Sequence, residues 1–206
     1  MSNAEKISAI KNWLGSGSIN IFGRPFSGKD TQGARLAAML DTRMIGGGEV
    51  LRSNNIPERA QEALRTGHLI PTEDYVNIVL PFLSQPELAD KPLVLSSIGR
   101  WHGEEQGVIN ALSESNHPLK AVVYLDISSD NSFTRWKALA TIQDRQNRRD
   151  DTEEILRTRF DEFQQKTIPV IDYYRLANLL ITIDGTRTRE EVSQDLLDAL
   201  YNLATR

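Results

Sequence analysis

The residues with the clearest chemical meaning lie close together, between Gly23 and Thr31. They fit the pattern G-x-x-x-x-G-K-x-T, which is one residue longer before the hydroxyl than the commonest phosphate-binding loop. Glycines let the backbone curl around an anion, and the start of the following helix adds positive potential. We expect Lys29 to reach the β- and γ-phosphates of ATP, and the Thr31 hydroxyl to ligate a magnesium ion that bridges them. The predicted ATP-binding residues of this loop are Gly23, Ser27, Gly28, Lys29, Asp30 and Thr31.

Asp30 is unusual in such a loop, because a carboxylate beside phosphates should repel them. We therefore expect its side chain to point away or to be neutralised, with a neighbouring arginine as one candidate. The alternative interpretation of the pattern is a glycine-containing turn that carries a lysine by chance. A predicted strand before it and a predicted helix after it favour phosphate binding, because the motif requires this context.

The elements that position this loop are short apolar runs alternating with helical stretches. The predicted strands are 18–22, 42–45, 92–98, 120–127 and 179–183. The predicted helices are 29–40, 50–66 (ended by Gly67), 74–83 and 190–203, with a long helical region between the last two strands in which Pro169 marks a kink or a boundary. Strands that alternate with helices predict a parallel sheet with helices on both faces, a three-layer α/β/α arrangement.

Composition and charge narrow the function classes. The 206 residues are 39% hydrophobic and 25% charged, as in an ordinary globular domain with a sizeable core. A net charge of −4 argues against a general nucleic-acid binder, because affinity for a phosphate backbone needs an excess of Lys and Arg. The absence of cysteine excludes disulfides and thiolate metal sites. No apolar run is long enough for a bilayer, so we expect a cytoplasmic protein with neither membrane nor nucleic-acid partners.

Residues 1–17 are predicted to form an N-terminal extension, and residues 18–206 a single domain. The extension carries a weakly amphipathic pattern instead of the apolar centre of a signal peptide, so we expect a short helix that packs on the body. The segment GSGS, residues 15–18, is predicted to be a flexible joint between this helix and the first strand.

The loop extended to Gln32, G-x-P-x-x-G-K-x-T-Q, resembles the phosphate loop of adenylate kinases, and further motifs follow in that family's order. GGGEVLR (46–52) and TGHLIPTE (66–73) resemble segments of the family's acceptor lobe, and LVLSSIGR (93–100) resembles the strand that ends in D-G-F-P-R. RRDDTEEILRTRF (148–160) resembles the run after the lid, and IDGT (183–186) resembles the turn beside the adenine. The resemblance spans about residues 19–200. It depends on the ordered set, because no motif after the first is persuasive alone.

The resemblance implies a nucleoside monophosphate kinase, with ATP as the donor, AMP as the favoured acceptor and Mg²⁺ as the cofactor. It also implies a five-stranded parallel sheet, a small acceptor lobe at about residues 44–75, a short lid at about residues 137–148 and a monomeric chain. By their match to the family's motifs, the catalytic candidates are Lys29, Arg100, Arg148 and Arg159. The acceptor-binding candidates from the same match are Gly47, Arg52, Leu69 and Arg100. The match also places Arg135 near the ATP base as an expectation.

Arginine suits this chemistry, because its planar fork binds phosphate oxygens bidentately and stays charged. Phosphoryl transfer needs alignment and positive charge more than it needs covalent help from the protein. The alternative is that these arginines form surface ion pairs. Carboxylates lie within helical reach of the three arginines Arg148, Arg149 and Arg157, namely Glu153, Glu154 and Asp161.

Three residues depart from the family's pattern. Ser96 stands where the family has the Asp of D-G-F-P-R, which helps to order the water shell of magnesium; Leu139 replaces an arginine, and Gly47 replaces a threonine beside the acceptor base. These departures keep two alternatives open: an adenine-nucleotide-binding pseudo-kinase, and a phosphate-loop kinase with a different small acceptor. If only the metal shell is compromised, Ser96→Asp is expected to raise turnover.

Overall fold

Five parallel strands form one sheet at the centre of the molecule. The computed structural model of the protein describes residues 1–53, 55–140 and 152–206. Its strands are β1 (Ser18–Gly23), β2 (Met44–Gly46), β3 (Leu93–Ser96), β4 (Leu119–Asp126) and β5 (Leu180–Asp184). They lie in the order β2-β3-β1-β4-β5, and every neighbouring pair runs parallel. The predicted five-stranded parallel sheet is confirmed.

Helices connect the strands, because parallel neighbours need long crossover connections. They are α1 (Asn3–Leu14), α2 (Lys29–Met39), α3 (Gly47–Ser53), α4 (Glu58–Thr66), α5 (Thr72–Phe82), α6 (Glu105–Glu114), α7 (Ser129–Ala140), α8 (Glu153–Glu162), α9 (Ile168–Leu176) and α10 (Arg189–Ala204). A 3₁₀ turn at Pro86–Leu88 and a π-helix at Phe163–Thr167 are also present. The helix α6 is an addition to the predicted elements, and it supplies the crossover from β3 to β4.

The central strand β1 is buried along its whole length, as expected of a parallel strand that is covered on both sides. Ile19 and Ile21 pack on one face of the sheet with α1, α2 and α10. Phe22 packs on the opposite face with α9. In β3, Val94 joins the first face and Leu95 packs with α5 and α6 on the second. Helices therefore cover both faces, which confirms the three-layer α/β/α arrangement.

The single helix predicted over 50–66 is wrong, because the chain forms two helices there, α3 and α4. Pro57 lies at the N-cap of α4, with φ −52° and ψ 150°. Proline lacks an N–H group and restricts the preceding residue, Ile56, to extended conformations, so a new helix begins here. The predicted end at Gly67 is confirmed, because this residue has the left-handed conformation of a helix C-cap, with φ 86°.

The helical region before β5 changes its winding ahead of Pro169. The π-helix at Phe163–Thr167 follows α8 directly, and Pro169 is the second residue of α9. The helical conformation is continuous from Glu153 to Leu176, and the Ile168 N–H donates to the Phe163 carbonyl oxygen. Pro169 therefore lies where the π-helix gives way to α9, and it has no N–H group to donate there. The prediction that Pro169 marks a kink or a boundary is confirmed as a boundary.

The N-terminal helix α1 packs against α10. Ile10 and Leu14 are 0% and 1% exposed. At the surface, Lys6 Nζ lies 2.5 Å from Asp198 Oδ1. The predicted helix is therefore present and packs on the body, while a domain boundary at residue 17 stays a prediction. Within the described part of the chain, no helix has the length and apolar character needed to cross a membrane.

Candidate active site

The phosphate-loop pattern forms the turn between β1 and α2, at the carboxyl edge of the sheet where ligands of open α/β folds bind. Phe26 and Gly28 have left-handed backbone conformations, with φ of 63° and 93°. Glycine at position 23 lets the loop close tightly, because an added Cβ would lie 2.3 Å from Ser27 Oγ and 3.0 Å from Ser27 Cβ. The Ser27 hydroxyl is buried and has no hydrogen-bond partner among the described residues, which suits a group that bonds to a bound phosphate. The predicted loop residues thus lie together around one turn.

Asp30 lies in the first turn of α2, between the loop lysine and the end of β3. Its Oδ2 is 3.1 Å from Lys29 Nζ, and its Oδ1 accepts a 2.7 Å hydrogen bond from Ser96 Oγ. Ser96 is 4% exposed, so this hydrogen bond satisfies a buried hydroxyl. The adjacent lysine supplies a neutralising charge for the carboxylate. Thr31, the next residue along α2, is exposed.

Arg135, on α7, joins the loop to the turn after β5. Its guanidinium donates to the carbonyl oxygens of Ser27, at 3.1 Å, and Gly185, at 2.6 Å. These hydrogen bonds hold two backbone segments of the carboxyl edge together. Contact of Arg135 with the ATP base stays a prediction.

A cleft lies directly after the end of β3. Three of the predicted acceptor-binding residues, Gly47, Leu69 and Arg100, line it. The fourth, Arg52, lies against Gly48, which also lines the cleft: a Cβ added to Gly48 would be 3.2 Å from Arg52 Nη1. The fold thus brings these four residues to one place, and their roles stay predictions.

The turn after β3 carries Arg100 to the cleft and is fastened to β1. Asn20, which is 0% exposed, donates to the carbonyl oxygen of Ile98 at 2.7 Å and accepts from the Ile98 N–H at 3.2 Å. Ser97 has φ 54°, a conformation that persists in a non-glycine residue only when its surroundings support it. The Asn20 amide therefore helps to determine where Arg100 lies.

Asn20→Ala is expected to lower the free energy of unfolding by about 2–4 kcal/mol, because the buried N–H and carbonyl groups of Ile98 both lose their partner. Urea titration followed by circular dichroism measures this change. The matched control is Asn110→Ala, which removes an exposed amide from α6 and should change stability by less than about 0.5 kcal/mol. Equally small changes in the two variants would contradict the fastening role of Asn20.

Glu104, the residue before α6, holds the same turn from another side. Its Oε2 accepts hydrogen bonds from the backbone N–H groups of Arg100, at 2.9 Å, and Trp101, at 3.0 Å. Glu104 lines the cleft but is only 5% exposed. Burial raises the pKa of Glu104, and the nearby Glu105 carboxylate acts in the same direction.

The raised pKa of Glu104 predicts a pH-dependent stability. Because the folded protein binds this proton more tightly than the unfolded chain, the contribution of Glu104 is fully present below its unfolded pKa of 4.5 and is lost as the pH rises through the folded pKa. Glu104→Gln lacks this titration. We therefore expect the stability of the unmodified protein, relative to Glu104→Gln, to fall as the pH rises above about 4.5 in urea titrations.

The control for this pH series is Glu114→Gln, because Glu114 is exposed at the other end of α6. Its stability difference from the unmodified protein should change little with pH. A pH-independent difference for Glu104→Gln as well would show that the pKa of Glu104 is not raised by folding.

The helix α8 packs against the turn that follows α4. A Cβ added to Gly67 would lie 2.9 Å from the carbonyl oxygen of Ile155 and 3.2 Å from Arg159 Cγ. Glu162, at the end of α8, accepts a 2.9 Å hydrogen bond from the Leu69 N–H through Oε2. The fold therefore places Arg159 beside the segment that lines the cleft.

The remaining arginine predictions have different outcomes. Arg157 Nη2 lies 2.7 Å from Glu153 Oε1 at the surface, so the ion-pair interpretation holds for Arg157. Arg148, with most of the predicted lid at 137–148, lies outside the residues that the structure describes. Leu139, near the end of α7, is 46% exposed.

Three residues of this site, Asn20, Tyr75 and Glu104, were not predicted from the sequence. Tyr75 Oη accepts a 2.7 Å hydrogen bond from the N–H of Gly99 in the turn after β3. The sequence did carry a signal for Asn20, since it is a polar residue within an apolar run. Glu104 was also conspicuous as a carboxylate four residues after a predicted phosphate-binding arginine. Tyr75 lies on an ordinary helical stretch and gave no signal.

Comparison with known proteins extends the resemblance over most of the chain. The adenylate kinase family model matches residues 21–179. The adenylate kinase of Cyanothece sp. is 29% identical over 188 residues, which cover 87% of this chain and 94% of that protein. The adenylate kinase of Stenotrophomonas maltophilia is 29% identical over 185 residues, covering 87% and 97%, and that of Micrococcus luteus is 28% identical over 188 residues, covering 89% and 90%. The matched segment includes the phosphate loop, the cleft and α8, and the chain belongs to the adenylate kinase family.

Proposed function

We propose that the protein is an adenylate kinase, which transfers the γ-phosphoryl group of ATP to AMP and forms two molecules of ADP. The observation that carries the proposal is the juxtaposition of two sites at one edge of the sheet. The phosphate loop follows β1, and the arginine-lined cleft follows the neighbouring strand β3. The 2.7 Å hydrogen bond between Ser96 and Asp30 joins these two segments directly.

The residues of the loop suit a nucleotide with its magnesium ion. The hydroxyl of Thr31 and the carboxylate of Asp30 are oxygen donors, the class that Mg²⁺ prefers. Mg²⁺ held by these oxygens together with ATP would neutralise charge on the phosphates. Lys29 and the backbone N–H groups of the loop bind the phosphates and keep the γ-phosphoryl group in line with the acceptor.

The acceptor phosphate is bound by Arg52 and Arg100 in this proposal. Gly47 and Leu69 contribute the apolar part of the cleft in which the rest of the monophosphate lies. Arg159, and Arg148 from the sequence pattern, supply further positive charge to the transferring group. The acceptor lobe at 44–75 and the lid at 137–148 exclude water when they close, so that ATP is not hydrolysed instead.

Two alternatives, a nucleotide-binding pseudo-kinase and a kinase for another small acceptor, rest on Ser96, Leu139 and Gly47. The family match favours the active kinase over both. A monomeric state and a cytoplasmic location are further predictions of the sequence that accompany this proposal.

The test is a phosphotransfer assay with magnesium-ATP and, separately, AMP, CMP, UMP, GMP and dTMP, in which diphosphate formation is followed. Formation of ADP from AMP, faster than diphosphate formation from the other acceptors, is the expected result. Efficient transfer to another acceptor would replace AMP. Absence of transfer to every acceptor, together with measurable ATP binding, would make the pseudo-kinase the correct interpretation.

A further inference from the structure

The strand beside the phosphate loop ends without a carboxylate. In phosphate-loop enzymes Mg²⁺ is held by the loop hydroxyl together with an Asp from elsewhere in the site. Here β3 ends in Ser96, which is 4% exposed. On the other side of β1, the carboxylate of Asp126 at the end of β4 accepts a 2.9 Å hydrogen bond from Tyr124 Oη.

A carboxylate nevertheless lies at the end of β3, and it comes from the loop side. The side chain of Asp30 reaches Ser96 from the first turn of α2, with 2.7 Å between Oδ1 and Ser96 Oγ. Its other oxygen is 3.1 Å from Lys29 Nζ, and Thr31 is its neighbour in the chain. The carboxylate therefore lies between the loop lysine and the end of β3, and Thr31 follows it in the first turn of α2.

We propose that Asp30 orients the water shell of the magnesium ion bound with ATP, and that Ser96 is the positioning residue that holds this carboxylate in place. The inference rests on the proposed function, because it concerns the metal of the same site. Mg²⁺ keeps several of its waters and uses few protein carboxylates, so a carboxylate that reaches it through water is sufficient. The side chain of Asp30 is 55% exposed, which leaves room for such waters. In this chain the carboxylate that organises the metal is that of Asp30 on α2, and the hydroxyl that positions it is that of Ser96 on β3.

The arrangement also changes the result expected for Ser96→Asp. A second carboxylate at position 96 would lie at hydrogen-bond distance from Asp30, and two like charges at that distance oppose each other. Ser96→Asp alone is therefore expected to weaken magnesium-ATP binding. It should become favourable only when Asp30 is removed at the same time.

The test separates a metal role from a merely structural pairing with Lys29. ATP affinity is measured by calorimetry with Mg²⁺ and with EDTA, for the unmodified protein and for Asp30→Asn. We expect Asp30→Asn to reduce the enhancement of ATP affinity by Mg²⁺ about tenfold and to leave the affinity in EDTA equal or higher. Equal weakening under both conditions would overturn the proposal, because pairing with Lys29 does not require the metal.

A second, direct readout uses Mn²⁺ in place of Mg²⁺, with the free ion quantified by electron paramagnetic resonance. Asp30→Asn should release Mn²⁺ from the ternary complex with ATP, and Asp41→Asn, an exposed carboxylate after the other end of α2, should not. The double variant Asp30→Gly with Ser96→Asp should recover Mn²⁺ retention relative to Asp30→Gly. Tighter Mn²⁺ retention in Ser96→Asp alone would overturn the proposal. These readouts need no acceptor, so they are independent of whether AMP is phosphorylated.

Discussion

Lys29→Ala should lower kcat for ADP formation about a thousandfold, because the substitution removes the loop cation that stabilises charge on the transferring phosphoryl group. The lysine side chain is 17% exposed and its Nζ lies 3.1 Å from Asp30 Oδ2, within the loop that follows β1. Single-turnover kinetics with saturating AMP, combined with ATP titration, separate the loss in the chemical step from weaker ATP binding.

The fold should tolerate this change. The ion pair between Lys29 and Asp30 has a partner that is 55% exposed, and pairs of this kind contribute less than about 1 kcal/mol to stability. Lys91→Ala, an exposed lysine before β3, is the matched control and should retain full activity. If Lys29→Ala keeps the turnover of the unmodified protein, the phosphate-loop assignment is wrong.

Arg100→Ala should lower kcat/KM for AMP about a thousandfold, with little change in the affinity for ATP. Arg100 lines the cleft, and its backbone N–H is held by Glu104 Oε2 at 2.9 Å. Its backbone position is therefore fixed at the cleft before a ligand binds, and charge that is already in place is effective in the transition state. Arg100→Lys should have an intermediate effect, because a lysine keeps the charge but loses the bidentate fork.

Steady-state kinetics with AMP varied, and calorimetry with ATP, measure the two sides of this prediction. Arg43→Ala, which removes an exposed arginine before β2, is the control and should leave both quantities unchanged. A variant Arg100→Ala that binds ATP weakly and retains its KM for AMP would place Arg100 on the donor side and contradict the acceptor assignment.

The phosphate loop could be predicted from the sequence because its function is local. All its groups lie between Gly23 and Thr31, and the backbone of that one turn arranges them. The parallel sheet could be predicted for a similar reason: its inner strands β1 and β3 are short, mostly apolar runs that are buried along their whole length. Pro57 was a local signal for the break between α3 and α4. The helical spacing of apolar residues on both sides of Pro57 led instead to the prediction of one helix.

Only the tertiary structure decided what surrounds Arg100 and Asp30. Ser96 and Asp30 are 66 positions apart, and Asn20 and Ile98 are 78 positions apart. These contacts exist because β1 pairs with β3 in one register, which the apolar pattern of either strand alone does not specify. The sequence by itself therefore determined that this chain binds nucleotide phosphates on a parallel α/β sheet. The pairing of β3 with β1 brought the Asp30 carboxylate to Ser96 at the end of β3, since side chains distant in the chain meet only when their strands are aligned.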